Sequence, residues 1–254
     1  MARAALPGGL IAPDRLTWRQ ATVREIVRET DTARTLVLDV PGWAGHRPGH
    51  HLDVRLTAED GYQAQRSFSI ASPPEEQTVA VTVERIDTGE VSPFLVEDVL
   101  VGDELEVRGP VGGPFTWTVD DGGPLLLVAG GSGLVPLMAM LRHRAARGSD
   151  LQARALVSVR GPGTELYRQE LERMASADPG VDVRWTYTRA QPEGWHGWTG
   201  RVDAAMIEEL GPPAAAAPKV FVCGPTGFVE AVSDLLVDAG HEPAVIRTER
   251  FGPS

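Results

Sequence analysis

Three short segments put glycine, hydroxyl, thiol and guanidinium groups at spacings that can do chemistry. The first is Gly130-Gly131-Ser132-Gly133-Leu134-Val135-Pro136, which follows the apolar run Leu125–Ala129 and opens a helical pattern. Glycines at such a turn let a phosphate approach the backbone, and a helix start favours negative charge. The spacing excludes three common sites. A dinucleotide fingerprint needs glycine where Pro136 stands, no Gly-Lys-Ser/Thr follows for a P-loop, and Leu134 stands where a hydrolase nucleophile elbow needs glycine. The second segment is Arg66-Ser67-Phe68-Ser69-Ile70-Ala71-Ser72, at the end of a strand pattern. On a strand, Arg66 and Phe68 share a face, and Ser69 lies on the other unless the strand bends. A core phenylalanine and a solvated arginine would produce the same pattern. The third is Val222-Cys223-Gly224-Pro225-Thr226-Gly227, again strand to turn. Turns at the carboxyl ends of parallel strands line the crevice of a doubly wound sheet, although a buried cysteine is also an ordinary small core residue.

Two kinds of architecture must hold these segments. Residues 18 to about 119 carry apolar or β-branched residues near period two over Ala21–Glu29, Thr35–Val40, His51–Leu56, Gln65–Ile70, Thr78–Arg85 and Glu104–Val107. Turn signals separate them, and Ser92–Leu100 reads as one short helix with Ser92 as N-cap and Pro93 at its first position. Six strands at this spacing predict a small antiparallel barrel. From about residue 124, strand patterns (Leu125–Ala129, Ala153–Val159, Val181–Tyr187, Val220–Cys223, Ala244–Ile246) alternate with helical ones (Leu134–Arg147, Glu165–Ala177, Val202–Leu210, Gly227–Ala239). That rhythm predicts a five-stranded parallel sheet with helices on both faces. The expected organisation is an arm over residues 1–17, a barrel domain over 18–119, the linker Asp120–Pro124 and an α/β domain over 124–254.

Composition removes several classes of function. The chain has 254 residues, 35 acidic against 24 basic side chains, a net charge of -11 and one cysteine. One cysteine cannot make an intramolecular disulfide, a four-cysteine iron–sulfur cluster or a cysteine-rich zinc site. The acidic balance argues against nucleic acid as the main partner. No run approaches the roughly 18 apolar residues of a membrane span, and Met1–Arg15 lacks the apolar centre of a secretory signal, so a cytoplasmic protein is expected. Lys219 is the only lysine, so any anion site must use arginine, backbone N–H groups or helix termini.

Taken together, the segments resemble the ferredoxin–NADP⁺ reductase superfamily, a flavin-binding barrel followed by a pyridine-nucleotide domain. Arg66-Ser67-Phe68-Ser69 resembles its R-x-Y-S motif, Gly131-Ser132-Gly133-Leu134-Val135-Pro136 its G-T-G-x-x-P motif, and Cys223-Gly224-Pro225 its C-G-P motif. Gly89-Glu90-Val91-Ser92 is similar to its G-x-x-S turn and Glu249-Arg250-Phe251 to its terminal E-x-aromatic. The marks stand in the family's order, from about Trp18 to Phe251.

The resemblance implies a role for each residue. Arg66 would pair with the flavin pyrophosphate, Phe68 would stack on the isoalloxazine without the usual tyrosine hydroxyl, and Ser69 would bond flavin N5. Backbone at Thr82, Val83 and Glu84 would border the ribityl chain, and Gly89, Val91 and Ser92 would serve a second phosphate, which favours FAD over FMN. Gly131, Ser132, Gly133 and Pro136 would hold the NAD(P) pyrophosphate and nicotinamide end, beside Cys223, Gly224 and Pro225. Ser69, Cys223 and Glu249 match the trio that orients hydride transfer, and Phe251 the aromatic that covers the flavin. Ser158, Arg160, Thr188 and Arg189 end the second and third strands without an acid, which leans toward NADPH over NADH, with Tyr167 and Arg168 nearby.

The implied activity is an FAD-dependent NAD(P)H oxidoreductase, a monomer that passes electrons to a separate acceptor protein such as a ferredoxin, an oxygenase or a metal- or molybdenum-containing oxidoreductase. The alternative is a flavin- or nucleotide-binding relay subunit of a larger complex without turnover of its own. Arg47, Arg85 and Arg250 are the candidate cationic patch for such an acceptor. His46, His50 and His51 read as a loop beside Pro48-Gly49 and not as a metal site; no metal is expected.

Overall fold

In the computed structural model, residues 16–252 are described. The expected arm over residues 1–17 therefore lies, except for its last two residues, outside the described residues, as do Pro253 and Ser254. The first half forms strands β1 (Arg19–Arg28), β2 (Ala33–Asp39), β3 (His51–Thr57), β4 (Gln63–Ser69), β5 (Val79–Glu84) and β6 (Glu104–Val111), with helix α1 (Val91–Glu97) between the last two. They make one antiparallel sheet in the order β4-β3-β6-β1-β2-β5, and a bridge between Ile70 and Val81 joins its two end strands. The sheet thus closes into the expected barrel around a core of Leu36, Leu38, Leu52, Val54, Val81, Val83 and Val107. The end strands meet only at that bridge. On its Arg66 side, β4 and β5 form no ladder.

The second half forms β7 (Leu125–Gly130), α2 (Leu134–Ala146), β8 (Ala153–Val159), α3 (Arg168–Ala177), β9 (Val181–Tyr187), β10 (Trp198–Thr199), α4 (Ala204–Leu210), β11 (Lys219–Pro225), α5 (Thr226–Asp238) and β12 (Ile246–Phe251). All pairings are parallel, in the order β10-β9-β8-β7-β11-β12. The sixth strand, absent from the five expected, is the two-residue β10 at the edge. Leu125, Leu127, Val157 and Phe221 pack one face, while Leu126, Val128, Val222 and residues of α4 and α5 pack the other. Burial on both faces explains why β7 reads as an unbroken apolar run.

Three local readings need correction. Ser92 is not the N-cap of α1; that position is Glu90, Ser92 is the second helical residue and Pro93 the third. The fully buried Val91 is the first helical residue, two positions earlier than expected, and the Ser92 hydroxyl instead accepts the Ile86 N–H at 3.0 Å. The last strand is not Ala244–Ile246 but β12, with Pro243–Val245 forming a 3₁₀ turn. As an edge strand it is half exposed and mixed in polarity, so it carries no apolar signature. Finally, α3 begins at Arg168, not Glu165, because Tyr167 adopts a left-handed backbone with φ 54°.

Candidate functional site

The parallel sheet changes direction between β7 and β11: β8, β9 and β10 follow to one side of β7, and β11 lies on the other. A doubly wound sheet opens its ligand crevice at such a point, beyond the carboxyl ends of the strands. Both glycine turns are there. A Cβ on Gly133 would lie 2.1 Å from the Cys223 carbonyl oxygen, and one on Gly224 would lie 3.2 Å from the Gly130 Cα and 2.7 Å from the Phe228 ring. The two turns therefore touch backbone to backbone. Gly131 has φ +57° and open space where a side chain would be, so its backbone is accessible from the crevice. Residues Gly131–Gly133 form a 3₁₀ turn that feeds α2, whose first turn contains the buried Pro136.

Strand β12 lies beside β11 with Cys223 and Glu249 as register partners. Cys223 is 1% exposed, and burial together with the neighbouring Glu249 charge pushes its thiol well above the usual range. Glu249 is mostly buried with no ion pair or hydrogen bond to another described residue, and burial raises its carboxyl to about 7. The sign follows from that cause. A folded-state pKa above the ordinary 4.5 means that Glu249 favours the folded chain below that value, and the contribution is lost as pH rises through about 7. Glu249→Gln is therefore expected to melt a few degrees above the parent at pH 8 and level with it below pH ~4.5. Melting curves across that range check this; a constant difference at all pH values would contradict it.

At the ends of β8 and β9, the Arg189 and Ala190 N–H groups donate to the Arg160 carbonyl at 3.0 and 3.1 Å, and the Thr188 hydroxyl donates to the Val159 carbonyl at 3.1 Å. Ser158 is buried beside Gly130, its register partner. Arg160 and Arg189 are thus neighbours, both exposed and without an ion pair among the described residues. Tyr167 and Arg168 do not join them. Tyr167 is buried against the barrel, and Arg168 is paired with Glu165 at 2.8 Å and Glu172 at 2.9 Å.

On the barrel, Arg66 is exposed and bonds only the Gln65 carbonyl, at 2.7 Å, so its charge is uncompensated by the chain. Phe68 is half-buried with one side against the barrel core. Ser67 faces the opposite way, donating to Asp53 at 2.6 Å. Ser69, at the end of β4 beside the bridge, makes no side-chain hydrogen bond among the described residues. The turn before α1 is closed by Gly89 N–H to the Ile86 carbonyl at 2.8 Å and by Ser92. A cavity of about 860 Å³ lies toward the opposite end of β4, between Tyr62, Glu90, Phe94 and Leu105, and contains none of these residues. Among the described residues, no cluster of three His, Cys, Asp or Glu groups could hold a metal ion. The expected cationic patch is largely neutralised: Arg47 pairs with Asp121 at 2.8 Å, and Arg85 with Asp87 at 2.9 Å and with Glu97. Arg250 alone keeps its charge free, bonding Thr248 at 3.1 Å.

The two halves meet through contacts that the sequence did not signal. Arg142 of α2 donates to the Ala71 carbonyl at 2.9 Å, and Arg247 of β12 donates to the Thr116 carbonyl at 2.6 Å. The Tyr167 hydroxyl bonds Thr82, and His143 lies 2.8 Å from Glu75.

The family described as "Oxidoreductase FAD-binding domain" matches residues 20–116, and that described as "Oxidoreductase NAD-binding domain" matches residues 127–234. The chain belongs to the ferredoxin–NADP⁺ reductase superfamily. It carries an oxidoreductase FAD-binding domain followed by an oxidoreductase NAD-binding domain. Among its relatives, the "Glycine betaine monooxygenase reductase subunit" of Chromohalobacter salexigens is 31% identical over 233 residues, covering 90% of this chain and 62% of the relative. The "Flavohemoprotein" of Bordetella pertussis is 31% identical over 215 residues, covering 81% of this chain and 52% of the relative. The reductase chain thus spans less than two thirds of these relatives. In solved structures, the FAD/NAD-binding domain of a Vibrio cholerae nitric oxide dioxygenase superposes with a TM-score of 0.82 at 24% identity, covering 92% of this chain and 99% of that domain. The Amycolatopsis cytochrome P450 reductase GcoB gives 0.81 at 25% identity, covering 94% and 71%. Among the described residues no helix is long and apolar enough to cross a membrane.

Proposed function

We propose that this reductase takes hydride from NAD(P)H at the crevice between β7 and β11 and delivers electrons, one at a time, to an acceptor centre outside these 254 residues. The observation that carries this reading is the placement of Cys223 and Glu249 side by side, against the Gly130–Gly133 turn, at the one point where a doubly wound sheet binds nucleotides. FAD, when bound, supplies the group that accepts two electrons together and releases them singly. The residues present fit it: an uncompensated Arg66, a half-exposed Phe68 and an unengaged Ser69 hydroxyl, on an end strand that meets β5 only at the Ile70–Val81 bridge.

Each residue then has a physical task. Arg66 meets the flavin diphosphate with a fixed fork of donors. Phe68 offers a ring face, Ser69 a hydroxyl at the reactive edge, and Phe251, 37% exposed at the end of β12, a cover. Ser92 fixes the Ile86–Val91 turn, and its free O–H can still donate to a phosphate oxygen. Gly131 and Ser132 present backbone to the nucleotide pyrophosphate, while Gly133 lets Cys223 approach. The buried, neutral thiol acts by shape, holding the nicotinamide in orientation without attacking it. Arg66→Ala is expected to weaken FAD retention about 10- to 100-fold, the value of a charge-assisted bidentate pair. Flavin content after dialysis measures it, and full retention would contradict it.

Arg160, Thr188 and Arg189 favour NADPH, since two neighbouring free guanidinium groups suit a 2′-phosphate and no acid is there to bind a 2′-hydroxyl. Arg189→Ala is expected to lower kcat/KM for NADPH about tenfold or more while changing NADH by less than about twofold. An equal loss for both nucleotides would remove the assignment. Relatives named as reductase subunits of a monooxygenase point to an oxygenase-type partner with its own one-electron centre. Reduced protein mixed anaerobically with a one-electron acceptor such as an iron–sulfur protein tests the outgoing half. Reduction of the acceptor supports the reading; a reduced flavin that yields electrons to no such acceptor contradicts it.

A further inference from the structure

Arg142, Tyr167 and Glu170 form a cluster that no nucleotide or flavin motif contains, yet it joins the two halves of the site. Arg142 is fixed from three directions. Its Nε and Nη2 donate to Glu170 at 2.9 and 2.7 Å, its Nη1 donates to the Ala71 carbonyl at 2.9 Å, and its guanidinium lies over the Tyr167 ring with 4.9 Å to the centroid. Tyr167, 4% exposed, bonds the Thr82 hydroxyl, which lies 2.7 Å from that of Thr35, itself a donor to Glu29 at 2.7 Å. The chain of contacts thus runs from the nucleotide unit to both end strands of the barrel. Ala71 is two residues beyond Ser69, and Thr82 sits next to the Ile70–Val81 bridge. Tyr167 holds φ 54°, a left-handed conformation that is rare for a bulky aromatic residue and persists only where its surroundings over-determine it. At the other end, α2 grows directly from the Gly131–Gly133 turn, so Arg142 is rigidly connected to the crevice floor.

We infer that Arg142 and Tyr167 are positioning residues for hydride transfer: through Ala71 and Thr82 they set the register of the Ser69 strand end against the glycine turn. This rests on the reading under Proposed function. Hydride transfer needs its reacting atoms near 3–3.5 Å, and a misplacement of about 1 Å costs about a hundredfold in rate. Removing the clamp lets the barrel edge shift relative to the nucleotide while each binding site keeps its own contacts.

The test uses stopped-flow reduction of the FAD-loaded protein by NADPH and NADH, each protiated or deuterated at C4. Three variants are compared with the parent: Arg142→Gln, Tyr167→Phe and the control Arg144→Gln. Arg144 is more deeply buried, 2% exposed against 18% for Arg142, but its partners, Leu151 and Asp178, are within the nucleotide unit. For Arg142→Gln the limiting reduction rate per bound flavin is expected to fall about 10- to 100-fold, with a changed isotope effect and nucleotide Kd within about twofold of the parent. Tyr167→Phe is expected to show a smaller change in the same direction, and Arg144→Gln lower stability with the parent's rate and isotope effect. Rates and isotope effects per bound flavin equal to the parent in both clamp variants overturn the inference while leaving the proposed function intact. A parent protein whose flavin neither nucleotide reduces overturns both. If Arg142→Gln fails to hold flavin, Tyr167→Phe, which removes a single oxygen atom, decides.

Discussion

Gly133→Ala is expected to slow flavin reduction by the nucleotide about a hundredfold or more. Its new methyl carbon would sit 2.1 Å from the Cys223 carbonyl oxygen, 2.4 Å from the Cys223 carbonyl carbon and 2.8 Å from the Gly224 nitrogen. These are backbone atoms of β11, so no rotamer change relieves the clash, and the two turns must separate. Overpacking of this kind costs about 1–3 kcal/mol, and displacement of the crevice floor costs about a hundredfold or more in hydride transfer. Gly131→Ala is the informative control. It has open space around its Cβ and suffers only the left-handed backbone, worth about 1–2 kcal/mol. The limiting rate of flavin reduction is expected to fall far more for Gly133→Ala than for Gly131→Ala. Equal effects would mean that the contact between the turns does not shape the nucleotide site.

Cys223→Ala is the second large effect. The thiol lies at the meeting of β11, the Gly130–Gly133 turn and Glu249, and it stays protonated at all physiological pH values because burial and the Glu249 charge both oppose its ionisation. Its removal deletes a contact surface at the proposed nicotinamide end and no charge. The expected result is flavin reduction slowed about 10- to 100-fold with FAD content unchanged, since the barrel residues that hold flavin are untouched. Cys223→Ser, close in volume, is expected to recover part of the rate. Loss of flavin on Cys223→Ala would place the residue on the wrong side of the site. A pH profile showing a titrating nucleophile at this position would contradict the orienting role.

Much of this organisation was legible in sequence because the signals are local. Most barrel strands alternate in polarity, β7 is a continuous apolar run, and the glycine turns follow strands directly. What escaped was set by tertiary contact. Strand β12 lies at an edge and alternates Arg247 and Glu249 with Thr248 and Arg250, so its pairing with β11 has no local mark. Ser92 matches the residue type of an N-cap, yet its hydroxyl is committed to Ile86 across the preceding turn. Tyr167 and Arg168 stood near a plausible phosphate site, but the barrel claims the first and Glu165 with Glu172 the second. Arg47 and Arg85 looked free in the sequence, but in a chain with net charge -11 both find an acid. The Arg142 and Arg247 contacts to barrel carbonyls span 71 and 131 residues of sequence and could not be read from either end. Among the described arginines without an acid, Arg66, Arg160, Arg189 and Arg250 stand at positions the motifs single out, and their charge is available to phosphate or to a partner.

The central claim is that one crevice brings a nicotinamide nucleotide to FAD. Anaerobic titration of the FAD-loaded chain with NADPH and with NADH, followed through the flavin absorbance, tests it directly. The expected result is full bleaching at one equivalent of nucleotide per flavin, faster with NADPH, and slowed in Cys223→Ala without flavin release. A chain that binds no flavin, or whose bound flavin stays oxidised with both nucleotides in excess, would contradict it.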